Sequence, residues 1–166
     1  IQGAFTSAIA AGYGLALLPK KKQDVGAEIN SNALRLIDTR PTGLALRRMV
    51  TACVAAAQTA IETGSDPAKY MLATVNQAAA DLARQGWKTG QRLAYLLEDG
   101  ATILTHCFPD RSYVYMLMEA AKAGKNLKII CSETRPYLQG ARLTSLCAKQ
   151  AGFDTALISD GMGGFL

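Results

Sequence analysis

The chain is short of the residues that most metal, redox and nucleotide sites require. It carries one histidine, His106, and four cysteines, Cys53, Cys107, Cys131 and Cys147, with no CxxC spacing. Neither a zinc site nor a disulfide framework is indicated, and no metal is expected. No G-x-G-x-x-G and no G-x-x-x-x-G-K-[ST] occurs, so no nicotinamide or ATP cofactor is expected. No apolar run approaches the roughly 20 residues that cross a bilayer. The basic cluster Lys20, Lys21 and Lys22 follows the first apolar stretch, the reverse of a signal peptide. These features read as a soluble, cytoplasmic protein without a membrane partner. The net charge of +5 comes from dispersed Lys and Arg, and no RNA-recognition aromatic motif appears, so nucleic acid is not an expected partner.

What is present is enough for a core. Of 166 residues, 49% are hydrophobic and 19% charged, a balance that supports one well-buried domain with a small annex and no long disordered segment. The chain opens at Ile1 rather than Met and stops just after the glycine-rich DGMGG. It reads as a piece of a longer protein.

The first hundred residues read as helices. Small and apolar residues fill 4–18, and Pro19 closes that helix. A second run, with Leu44, Leu46, Met49, Val50, Cys53 and Val54, follows Arg40, Pro41 and Thr42 and lasts to Gly64. In GSDPAKY, Ser65 or Asp66 is the N-cap and Pro67 the first helical residue, where its missing donor does no harm. That helix is expected to reach about Gln85, break at Gly86 and give way to a shorter helix from Thr89 to Asp99.

From residue 101 the pattern alternates. ATILTHC, NLKIICSE and FDTALISD read as strands, with helices at 113–123 and 139–150 between them, each closed by a glycine. The fold class is therefore α/β: a helical N-terminal domain over 1–99, then the first part of a Rossmann-like parallel βαβαβ domain over 100–166, truncated at its C-terminus. Such crossovers make parallel, right-handed units, and ligands of open α/β sheets bind beyond the carboxyl ends of the strands. Those ends carry Cys107, the tract Ser132, Glu133, Thr134 and Arg135, and Asp160. Adjacent strands about 5 Å apart would gather them within roughly 10 Å.

Each candidate has a plain alternative. Cys107 is a packing cysteine unless its position recruits it. His106, its neighbour in a strand, faces the other way, which disfavours a Cys-His dyad and leaves a packing or hydrogen-bonding role. Asp160 is a helix N-cap or a functional carboxylate. Arg135 pins an anion or pairs with Glu133 or the helical domain. Cys53, Cys131 and Cys147 are assigned to packing. These residues support an α/β domain that binds something small and anionic.

ETRPYLQGARLT and LISDGMGGFL, with ILTHC, DTRPTGLAL and IQGAFTSAIAAGYGLAL, resemble the methylthioribose-1-phosphate isomerase family. Its relatives are the ribose-1,5-bisphosphate isomerases and the regulatory α, β and δ subunits of translation initiation factor 2B. The likeness covers nearly the whole chain. It implies a homodimeric aldose–ketose isomerase, working without metal or cofactor on a small phosphorylated sugar. Cys107 and Asp160 would be the catalytic pair, and Arg40, Gln139, Arg135, Gly3 and Ala4 would bind substrate. It also implies that Asp160, kept neutral by an apolar site, protonates the ring oxygen, while Cys107 shuttles a proton between C1 and C2 or stands beside a hydride shift. Gln2 replaces the family's arginine, Phe5 its proline, FPDRSYVY the small polar residues after His-Cys, and GMGG its Asn-Met-Ala. These departures leave room for a second reading, a non-catalytic ligand-sensing protein like the initiation-factor regulatory subunits. Family members also continue into further strands, so the sheet is expected to be completed by more chain or by a partner.

Overall fold

The structure, a computed structural model, describes residues 3–18 and 24–166. Gln2, Pro19 and the Lys20–Lys22 run lie outside the described residues. The chain divides into two compact units, 1–81 and 82–166.

In the first unit, α1 (Ala4–Ala16), α2 (Val25–Asp38), α3 (Leu44–Glu62) and the first half of α4 (Pro67–Leu96) pack around Leu15, Ile29, Val50, Cys53, Met71 and Val75. Local chemistry explains the helix starts. Asp24 Oδ1 accepts from Ala27 N at 2.9 Å and starts α2, a helix that the sequence pattern had not separated from its neighbours. Asp66 Oδ1 accepts from Ala68 N at 3.0 Å, and Pro67 opens α4 as expected. Gly12 lets α1 approach its neighbours, since a Cβ there would lie 2.6 Å from Val75 Cγ2. One expectation is revised: α3 is long and apolar enough, by length and composition, to cross a membrane. Its buried residues Leu46, Met49, Val50, Cys53, Ala57 and Ala60 make it the central helix of this unit's core instead.

A second correction concerns α4, which is a single 30-residue helix with no break at Gly86. In the second unit Gly86 and Gly90, one turn apart, face α5 (Arg111–Lys122). A Cβ on Gly90 would lie 2.5 Å from Tyr115 Cβ and 2.8 Å from Met116 N. The glycines serve close helix packing, which outweighs their low helix propensity. The end of α4 is held by Lys125, whose Nζ donates to the carbonyls of Ala94, at 2.7 Å, and Leu97.

The second unit carries the parallel sheet in the order β1 (Thr102–Thr105), β2 (Lys128–Ser132), β3 (Asp154–Ile158). The register pairs Thr105 with Cys131 and Cys131 with Leu157. Tyr113, Leu117 and Ala120 of α5 and Ala148 of α6 (Ser145–Gln150) bury Ile129 and Cys131 on one face. Leu104, one residue out of phase, and Leu157 on the β3 edge are each about half exposed, 51% and 53%. α6 is preceded by a π-helical turn, Gly140–Thr144, where the sequence pattern showed one uninterrupted helix. Irregular turns of this kind concentrate near functional sites.

Candidate active site at the carboxyl edge of the sheet

The three strand ends do converge, and a threonine joins them. Thr134 follows β2 with φ 62°, a left-handed conformation that costs a β-branched residue free energy. In that pose its Oγ1 accepts from the backbone N of Cys107 at 2.9 Å, and its own N donates to Asp160 Oδ1 at 2.7 Å. One residue therefore ties the ends of β1 and β3 together. Cys107 is also left-handed, φ 62°, and its carbonyl accepts from Thr144 Oγ1 at 2.6 Å. Two non-glycine residues with positive φ flanking one edge mark a conformation that the surroundings enforce.

The motif's glycine supplies the closeness. A Cβ on Gly140 would sit 1.8 Å from the Ser132 carbonyl oxygen, so only glycine lets the π turn rest on the end of β2. The turn then brings Thr144 beneath Cys107. Sequence reasoning missed Thr134, Thr144 and Gly140 as organisers of the edge. Their signal was present, since all three fall inside the stretch ETRPYLQGARLT, but the contacts that give them this role join residues distant in sequence.

Asp160 is not a helix N-cap. Its side chain caps nothing in the 3-10 turn Asp160–Gly164 that it begins. It reaches across to the loop after β2, where Oδ1 and Oδ2 accept from the backbone N of Thr134 and of Arg135, at 2.7 and 2.8 Å. Those two bonds hold its carboxyl below the ordinary carboxylate range, outweighing partial desolvation, with smaller help from the His106 charge and the Ser132 hydroxyl. This corrects the expectation of a neutral acid in an apolar site: Asp160 is exposed and rests ionised.

The remaining candidates fall as follows. Arg135 is exposed, and among the described residues its guanidinium makes no ion pair, so the alternative pairing with Glu133 does not form. Gln139 immediately precedes the π turn and is half-buried. Asp110 and Arg111, introduced by FPDRSYVY, start α5: Asp110 Oδ1 accepts from Ser112 N at 2.9 Å. His106 is exposed rather than packed, and its Nδ1 lies 2.8 Å from Ser132 Oγ. Gly3, which precedes α1 with φ 95°, Ala4, and Arg40 in the turn before α3 belong to the first unit and are exposed. Cys53 and Cys131 are fully buried, and burial pushes the Cys53 thiol up to about 11 and raises that of Cys147, as inert packing cysteines require.

A parallel α/β sheet whose carboxyl edge carries a cysteine and a carboxylate tied to one threonine, in a chain that also has a helical N-terminal unit, defines a Rossmann-like ligand-binding class. The chain belongs to the Initiation factor 2 subunit family, whose sequence pattern matches residues 1–166. Methylthioribose-1-phosphate isomerase of Albidiferax ferrireducens is 33% identical over 182 residues, covering 100% of this chain and 51% of the relative. The enzyme of the same name from Fervidobacterium nodosum is 46% identical over 84 residues, 46% of this chain and 24% of that protein. Among solved structures, translation initiation factor eIF-2B subunit delta from A. fulgidus superposes with TM-score 0.71 at 28% identity, over 99% of this chain and 52% of the other. The 5-methylthioribose 1-phosphate isomerase from Pyrococcus horikoshii OT3 does so with TM-score 0.69 at 28% identity, over 99% and 50%. The chain thus spans about half the length of the relatives that match it throughout.

Proposed function

We propose that the protein carrying this chain is an aldose–ketose isomerase acting on a sugar 1-phosphate, in the manner of the methylthioribose-1-phosphate isomerases it resembles. The observation that carries this reading is the double tether at Thr134, which brings the backbone of Cys107 and the carboxylate of Asp160 to one residue. A thiol and a carboxylate fixed at one strand edge are the groups that proton transfer between adjacent carbons requires. Ring opening needs a proton on the ring oxygen, and transfer from C2 to C1 needs a base near both carbons. Cys107 serves the carbons, and Asp160, ionised at rest, serves the oxygen only after it has taken up a proton. Arg135 and Gln139 at the same edge hold the phosphate and hydroxyls, and for Arg40, Gly3 and Ala4 of the first unit the substrate-binding role rests on the family resemblance alone. No metal or cofactor takes part. The protein acts as a cytoplasmic homodimer, and domain boundaries at 1–99 and 100–166 follow from the same reading.

A second reading has its own support. The engagement of both Asp160 oxygens by backbone N–H groups gives that carboxylate a structural task, as a non-catalytic ligand sensor like the initiation-factor regulatory subunits would use it. The two readings separate in one experiment. Purified protein containing this chain is incubated with a panel of pentose 1-phosphates, and ketose formation is measured alongside calorimetric binding. The isomerase reading expects turnover that falls at least about 100-fold in both Cys107→Ser and Asp160→Asn, the usual scale for general acid–base groups. Binding without turnover makes the protein a sensor, and unchanged rates in either variant remove that residue's role.

A further inference from the structure

The ladder between β1 and β2 ends at Thr105, two residues short of Cys107. The main chain of Cys107 is held by side chains instead. Its N–H donates to Thr134 Oγ1 at 2.9 Å, and its carbonyl accepts from Thr144 Oγ1 at 2.6 Å. Each threonine hydroxyl has one proton to give, and both are spent. Thr144 gives its proton to Cys107, and Thr134 gives its own to the Ser132 carbonyl at 3.3 Å, leaving its oxygen to accept from Cys107. Both threonines are buried, Thr144 completely, and the buried Tyr113 hydroxyl donates to the Thr144 carbonyl at 3.3 Å.

A line of hydrogen bonds thus crosses the edge. It runs from Thr144 Oγ1 to the Cys107 carbonyl, from Cys107 N to Thr134 Oγ1, and from Thr134 N to Asp160 Oδ1 at 2.7 Å, with Arg135 N on Oδ2 at 2.8 Å. The two middle residues, Cys107 and Thr134, both have φ 62°. A residue in that region stays there only while its surroundings over-determine it. For each of these two, the bond to the other is part of what does so. Relaxing either backbone breaks the bond that holds its neighbour in place.

We propose that Thr144 and Thr134 are positioning residues that lock Cys107 and Asp160 into one unit, so that loosening either candidate catalytic group loosens the other. They act through the Cys107 main chain and the Asp160 carboxylate. The inference deepens the isomerase reading and rests on it for its purpose: a thiol and a carboxylate that serve neighbouring atoms of one sugar gain from being held in fixed positions. Its first test needs no substrate.

Amide-resolved hydrogen exchange on the protein containing this chain reads each link at Cys107, Thr134 and Arg135. The amides of Ile129, Ile130 and Cys131 in the central strand β2 report general stability. Thr144→Val keeps the shape and removes the donor. Relative to β2, exchange is expected to rise about 5-fold or more at Cys107, the scale of a buried acceptor left unpaired. At Thr134 and Arg135, whose bonds to Asp160 do not involve Thr144, it is expected to rise at least about 2-fold. Thr144→Ser keeps the hydroxyl and is expected to hold all three amides near the parent. Coupling is reciprocal, so Asp160→Ala, which removes the acceptor of Thr134 and Arg135, is expected to speed Cys107 exchange at least about 2-fold. Asp160 is exposed, and this variant keeps the proposal open to refutation if Thr144→Val fails to fold. Unchanged exchange at Thr134 and Arg135 in Thr144→Val, unchanged exchange at Cys107 in Asp160→Ala, or a rise shared equally with β2 overturns the proposal. With pentose 1-phosphates, Thr144→Val is expected to lower kcat at nearly constant KM and Thr144→Ser to restore it, and an unchanged kcat in Thr144→Val overturns the positioning role. Transmission along the line without turnover in the parent overturns only the isomerase reading, whereas turnover without transmission overturns only the coupling.

Discussion

Replacing Gly140 with alanine tests whether the motif's glycine is there for backbone contact. The added Cβ would stand 1.8 Å from the Ser132 carbonyl oxygen, against 3.4 Å for the shortest ordinary contact, and 2.9 Å from Thr134 Oγ1. The first obstacle is backbone, so no rotamer change relieves it. The π turn and the end of β2 must separate by about 1.5 Å in a close-packed interior. Overpacking costs about 1–3 kcal/mol, and alanine returns up to about 1 kcal/mol in helix propensity. With rigid atoms on both sides, the net loss is expected to be about 2 kcal/mol. Trp87, the sole tryptophan, lies in the same unit and reports its unfolding by fluorescence. At a typical urea slope of about 1–3 kcal/mol per molar, the midpoint should fall by roughly 1 M. Gly14→Ala is the control: it sits inside α1 with open space around it, and should match the parent or gain up to about 1 kcal/mol. A Gly140→Ala midpoint within about 0.2 M of the parent would refute the close-contact account.

Gly90→Ala should also destabilise, by about 1–2 kcal/mol net of helix propensity, because its Cβ would meet Tyr115 Cβ and the backbone of Met116; the same fluorescence unfolding measures it. Thr134→Val keeps the β-branched shape but leaves the half-buried Cys107 N–H without its acceptor, for a loss of about 1–3 kcal/mol and faster hydrogen exchange at that amide. Asp160→Asn should flatten the acid limb of stability. Its folded pKa lies below the ordinary 3.8, so the unfolded chain binds the proton first as pH falls. The contribution is whole above 3.8 and is lost as pH drops from there through the lower folded value. Urea midpoints at neutral and acid pH, for parent and variant, check this.

The α/β alternation and the single parallel sheet, with the strand ends meeting at one edge, were legible in the sequence because they follow from period and from the direction of right-handed crossovers, whereas the strand order was not. What was not legible depends on contacts between distant residues. Gly86 looks like a helix breaker until Tyr115 of α5 is seen beside it. Asp160 looks like an N-cap, or a desolvated acid, until the loop after β2 brings two N–H groups to its oxygens. The start of α2 went unmarked, although Asp24 with Ala27 is an ordinary cap, because the neighbouring lysine run masked the boundary.

The polar stretch SETRPYLQG divides its work in a way composition alone would not show. Ser132 and Thr134 face inward, bonded to His106, Cys107 and the backbone, and Gly140 gives up its side chain for contact. Thr134 N and Arg135 N serve Asp160 through the backbone alone. The Arg135 guanidinium is therefore left exposed and unpaired among the described residues, while its backbone N serves a carboxylate already satisfied by neutral donors. A cation that is not consumed by its nearest anion keeps its attraction for an incoming one. The edge thus fixes its carboxylate by amides, and on the isomerase reading proposed above the uncommitted positive charge is the group expected to meet a phosphorylated ligand.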